Sequence, residues 1–104
     1  VHQWAGPLIG RRVGSVGEIE RAGDYAYAEN FTGGKPAVFF LLPNAEGPNP
    51  LRRSPEQPAN GLHHVTSPPH TFRHCADGSI EIRASIGAHA WHGWLDEGHV
   101  WREA

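Results

Sequence analysis

Glycine or proline interrupts this chain too often for long helices to form. The 104 residues hold 13 Gly and 9 Pro, and each costs a helix interior about 1 and 3 kcal/mol respectively. What survives between the interruptions is short and alternating. Asp24-Tyr25-Ala26-Tyr27-Ala28-Glu29 alternates with both tyrosines on one face. Thr32-Gly33-Gly34-Lys35-Pro36 is a turn signal,. Ala37-Val38-Phe39-Phe40-Leu41-Leu42 is a continuous apolar run ended by Pro43, which predicts a strand buried on both faces,. Further on, Thr71–Cys75 and Ser79–Ile86 flank Asp77-Gly78, a strong hairpin turn,. Ile80, Ile82, Ala84 and Ile86 share one face of that second strand, while Glu81, Arg83 and Ser85 share the other,. Residues 90–95 and His99–Trp101 flank Asp96-Glu97-Gly98, a second hairpin whose glycine suits a positive φ,.

The pattern predicts an all-β fold, a small antiparallel meander or two-sheet sandwich. Residues 1–17 read as an extended N-terminal arm, since Gly6, Pro7, Gly10, Gly14 and Gly17 leave neither helical nor strand periodicity,. Residues 18–104 read as a single β-domain containing a long proline-rich loop at 43–61, with Arg52-Arg53 near its middle,.

Composition narrows function by exclusion. No apolar run approaches the ~18 residues of a membrane span. A single cysteine cannot form a disulfide within the chain and suits a reducing compartment,. Formal net charge is −2, with charges of both signs interspersed. That balance lacks the basic stripe of a nucleic-acid binder, so neither nucleic acid nor membrane is expected as a partner. No secretion signal is recognised at the start, which places the chain in a virion or a host cytoplasm. P-loops, serine-hydrolase elbows and dinucleotide fingerprints are absent, and no cofactor is expected.

Eight histidines are the unusual feature, enough to change surface charge as they protonate. Beyond His2, they group as His63-His64, His70, His74 beside Cys75, His89, His92 and His99. Were the C-terminal strands neighbours, His74-Cys75 could meet His89 and His92. The spacing argues against a zinc centre, because His89 and His92 alternate to opposite faces and no Cys-x-x-Cys pair supports them. Cys75 as a nucleophile would require His74 or His70 as its base. His74, its neighbour in a strand, faces away, so a small buried apolar role is expected instead. No catalytic or metal residue is therefore assigned. Trp91 and Trp94 point to opposite faces, one into the core and one onto a second surface. That second indole either anchors a partner or lies under the long loop. The candidate partner contacts are Trp4, Arg11, Arg12, Arg52, Arg53 and Trp94,.

Residues 72–101 resemble a family of small β-domains found in bacteriophages and bacteria. The likeness rests on Asp77-Gly78-Ser79-Ile80, Ala84-Ser85-Ile86, Trp91-His92-Gly93-Trp94-Leu95 and Glu97-Gly98-His99-Val100-Trp101. Phe39-Phe40-Leu41-Leu42-Pro43 is similar to an earlier strand of that family. Its members carry cysteines resembling zinc ligands after the Phe-rich strand. Here those positions read Leu41, Leu42, Asn44 and Gly47, and only His92 carries over. The resemblance implies a phage context rather than a reaction. The expectation is a non-enzymatic structural protein docking onto a larger assembly, a bacteriophage capsid accessory or decoration protein contacting capsid protein and copies of itself. The alternatives are a small zinc-binding module and a histidine-dependent hydrolase or nuclease. The last of these requires two or more histidines converging on one point.

Overall fold

The computed structural model describes residues 7–43, 62–88 and 91–104. The strands are β1 (Leu8–Ile9), β2 (Arg11–Val13), β3 (Asp24–Thr32), β4 (Lys35–Leu41), β5 (Leu62–Thr66), β6 (Thr71–His74), β7 (Ile80–Ala88), β8 (Trp91–Asp96) and β9 (Val100–Glu103). They form a five-stranded sheet, β1-β9-β8-β7-β6, and a four-stranded sheet, β2-β3-β4-β5. The fold is the all-β, two-sheet arrangement that the alternating segments predict. All pairings are antiparallel except β2 with β3.

The hairpins sit where turn chemistry places them. Gly33 and Gly34, at φ 55° and 79°, join β3 to β4 in a left-handed conformation that side chains with a Cβ resist,. The expected Asp77-Gly78 turn joins β6 to β7, and the 97–99 turn joins β8 to β9. One boundary differs. His99 is a left-handed turn residue at φ 63°, and β9 begins at Val100.

The main core lies between the sheets. Tyr25, Val38, Phe40 and Leu42 come from the β3–β4 side, and Ile80, Ile82, Ile86, Trp91, Leu95 and Trp101 from the other. Burying each such large apolar side chain stabilises the fold by about 1.5–3 kcal/mol. A smaller cluster of Ile19, Ala26 and Leu41, joined by Val13, Val16, Phe39 and Leu62, covers the opposite face of β4. The short turn Val16–Glu18 carries part of this cover, so β4 is buried on both faces as its apolar run predicts. Ala84 departs from the predicted inward face. It is exposed, because the β7–β8 register shifts between Ile82 and Ile86.

Within the N-terminal arm, residues 8–13 lie along the body as two short strands. Leu8–Ile9 pairs with β9 and Arg11–Val13 pairs with β3, so the segment stitches the two sheets together. The step between sheets falls on Gly10, where a Cβ would overlap the Gly23 carbonyl and crowd Trp101 Nε1. Trp101 Nε1 donates to that same carbonyl at 2.8 Å. Gly10 N donates to the His99 carbonyl at 2.7 Å. Strand β5, Leu62–Thr66, has no counterpart in the sequence pattern and pairs along β4. The proline-rich loop falls at positions 44–61 outside the described residues, as do the first six residues.

Gly10→Ala is expected to destabilise the fold by about 1–3 kcal/mol in urea unfolding. Gly17→Ala, whose Cβ meets only Ser15 Oγ at 4.0 Å, is expected to change stability by less than about 1 kcal/mol in either direction.

Candidate functional site

Among the described residues, polar side chains gather at three places. One is built where the N-terminal segment meets β3. Asp24 is 1% exposed. Arg11 Nη2 and Nε donate to its carboxylate at 2.8 and 3.3 Å. The backbone N–H groups of Glu20 and Arg21 donate to Oδ2 at 3.0 and 3.2 Å. Burial pushes the Asp24 carboxyl up, but Arg11 and the two N–H donors outweigh it and hold the group below its ordinary value,. Arg11 therefore ties the N-terminal segment to Asp24, with its side chain still 44% exposed. Arg12 is likewise committed internally: Nη1 donates to the Gly78 carbonyl at 3.1 Å and the guanidinium lies 5.7 Å from the Tyr27 ring centre. Trp4, Arg52 and Arg53 lie outside the described residues.

Trp94 stands on the outer face of the five-stranded sheet, as strand alternation requires once Trp91 and Leu95 are buried,. The Arg83 guanidinium lies 6.0 Å from its ring centre. Asp96 joins Arg83 and Arg102, accepting from Nη2 at 2.5 Å and from Nε at 2.6 Å. Burial raises the Asp96 carboxyl. Hydrogen bonds from Arg83, Arg102 and Trp94 then pull it below its ordinary value,. Two guanidiniums thus share one carboxylate around an indole. Arg73 on β6 extends the face, paired with Glu81 at 2.9 Å and Glu97 at 3.4 Å.

The third place is a histidine-lined cleft of about 150 Å³ where β5 passes β7. His63, His64, His70 and Ser85 line it over a floor of Phe40, Val65 and Ile86, with Gly87 at the side. Two imidazoles meet Ser85. His92 Nε2 lies 2.8 Å from its hydroxyl, and His70 Nε2 lies 3.3 Å from its carbonyl. The carbonyl only accepts, so His70 carries a proton on Nε2. The sequence pattern misses this convergence. Ser85 reads there as one of three polar residues on a strand face, and His70 only as a possible base for Cys75. The usable signal is that Ser85 and His92 both belong to the motifs carrying the family resemblance.

The zinc grouping considered from sequence is not assembled among the described residues. His74 pairs with Ile80 at one end of β7, and His92 with Gly87 at the other. Seven residues of strand separate them by about 23 Å. His74 packs edge-on against Tyr27, at 4.7 Å between ring centres. His89 is outside the described residues. Cys75 is buried, the role expected for a lone strand cysteine,. Its Sγ lies within 4.8 Å of carboxylate oxygens of Asp77 and Glu97. Those carboxylates already have partners: Asp77 accepts from Ser79 N and Oγ, and Glu97 pairs with Arg73.

Among the described residues, no helix is long and apolar enough to cross a membrane. No protein-family model matches the chain, and no curated protein or solved structure matches it.

Asp24→Asn is expected to cost about 1–3 kcal/mol of stability at neutral pH, because Arg11 loses its charged partner. Since folding lowers the Asp24 pKa, its contribution is complete above the unfolded carboxylate pKa and disappears as pH falls through the folded value. The difference between variant and parent in urea unfolding should therefore narrow below about pH 4.

Proposed function

We propose that this chain is a non-enzymatic interaction module that docks onto a larger protein assembly through the outer face of its five-stranded sheet. The observation that carries the proposal is the Trp94 cluster: a partly exposed indole set against Arg83, with Arg83 and Arg102 fixed by Asp96. Tryptophan and arginine are the residues most enriched where interfaces concentrate their binding energy. Side chains already held in one conformation lose less entropy when a partner covers them.

The assembly we propose is a bacteriophage particle, with this chain as a capsid accessory or decoration subunit and the virion as its location. Support for that step is the resemblance carried by Ser85-Ile86 and the Trp91–Leu95 strand. The module would act by its sheet face.

The test is co-sedimentation with particles assembled in the same cells. The parent chain is expected to travel with the particles, while Trp94→Ala remains at the top of the gradient with a melting temperature within about 5 °C of the parent. A parent chain absent from the particle fraction, or a Trp94→Ala chain retained in it at parental occupancy, overturns the proposal.

A further inference from the structure

We infer that the docking face takes a protein segment that sets a carboxylate beside an apolar side chain, with the carboxylate seated on the Arg102 guanidinium and the apolar group on the Trp94 indole. The inference rests on the docking role proposed above and names the chemistry of the partner. The two residues stand side by side. Trp94 on β8 is directly opposite Arg102 on β9. Paired residues of neighbouring strands have Cβ atoms about 4.5–5.5 Å apart on one face of a sheet.

The two guanidiniums on Asp96 are not equally satisfied. Arg83 is held within the chain. Its Nη1 donates to the Ile82 and Leu95 carbonyls at 3.1 and 3.0 Å, and its Nη2 donates to Asp96 Oδ1. Arg102 donates from Nε to Asp96 Oδ2 at 2.6 Å, and its side chain is 47% exposed. Its Nη1 and Nη2 have no acceptor among the described residues. They form a planar fork that matches a carboxylate with two parallel hydrogen bonds. Asp96 does not fill that fork, because its oxygens already serve Arg83, Arg102 and the Trp94 side chain. The indole has a single donor. With that donor turned to Asp96, the exposed part of the ring offers carbon surface to a partner.

Charge along the face favours the same placement. Arg83 and Arg102 share one carboxylate, so the β8–β9 end carries one positive charge in excess. At the β6 end the balance is reversed, since Arg73 is shared by Glu81 and Glu97. His92, on the same face as Trp94, is on the Ser85 hydroxyl at 2.8 Å and brings no negative charge. Glu103, next along β9, is opposite Gly93 and alternates to the other face,. An acidic residue of the partner is therefore drawn to Arg102 and repelled from the Glu81–Glu97 end.

The experiment is co-sedimentation of the full chain, at a subsaturating concentration, with particles made without it in the same cells. Half of the particles are first treated with carbodiimide and glycinamide, which turn exposed carboxylates into neutral amides, and are checked to sediment as untreated ones do. Untreated particles are expected to carry the parent chain, and amidated particles about fivefold less of it or lower. On untreated particles Arg102→Gln should lower occupancy by about fivefold or more. Lys35→Gln, which removes an exposed positive charge at the β3–β4 turn, should leave occupancy at the parental level. Amidation acts on the partner alone, so that arm decides the matter even if Arg102→Gln melts well below the parent. Full parental occupancy on amidated particles overturns this inference, as does an equal loss in Arg102→Gln and Lys35→Gln, or an Arg102→Gln chain retained at parental occupancy. The docking reading itself survives each of those results if Trp94→Ala is released. A parent chain absent from untreated particles removes both.

Discussion

The hydrogen bond from the Trp101 indole to the Gly23 carbonyl, 2.8 Å long and fully buried, fixes how the two sheets meet. Trp101 belongs to one sheet, and Gly23 directly precedes the first long strand of the other. An indole that large contributes mainly by burial, but its N–H would be costly to bury without a partner. Gly23 provides that partner, and Gly10 provides the space, because only a residue without Cβ passes between them. His99 closes the same junction. Its carbonyl receives the Gly10 N–H, and its Nδ1 lies 2.6 Å from the hydroxyl of buried Tyr25. These contacts help hold His99 in a left-handed conformation that costs a non-glycine residue about 1–3 kcal/mol.

Once Trp101 is inside, alternation decides the rest of the face. Trp91, Gly93 and Leu95 turn inward with it, so His92, Trp94 and Asp96 turn outward,. The surface proposed for docking is therefore a consequence of core packing. It needs no loop to form, and its arginines are positioned by a carboxylate that is itself mostly buried. The histidine cleft follows from the same register at the other end of β7. The shift between Ile82 and Ile86 interrupts strict alternation, and Ser85 within it meets both His70 and His92.

The parts of the fold legible in the sequence are those written locally. Gly33-Gly34 and Asp77-Gly78 announce their turns by φ requirements, and Ile80–Ile82 and Trp91–Leu95 announce their faces by a period of two. Leu62–Thr66 escapes because Leu-His-His-Val-Thr has no apolar alternation, and its strand character comes from pairing with β4. Leu8–Ile9 and Arg11–Val13 escape because each is too short to show a period and each pairs with a different sheet. Arg11 reads as a surface charge until Asp24, 13 residues away, is seen buried beneath it. The Ser85 cluster draws on three separate segments, and no local pattern encodes their meeting. Trp94 was legible as a candidate because a residue three positions from Trp91 must face the other way.

The most direct measurement of the central claim is oxidative side-chain footprinting of the chain free and seated on its assembly. Phe31, 43% exposed at the end of β3, serves as the internal reference on the four-stranded sheet. The account predicts that Trp94 becomes protected on assembly while Phe31 is labelled at the same rate. Equal labelling of Trp94 in both states, with protection moving to Phe31, would contradict it.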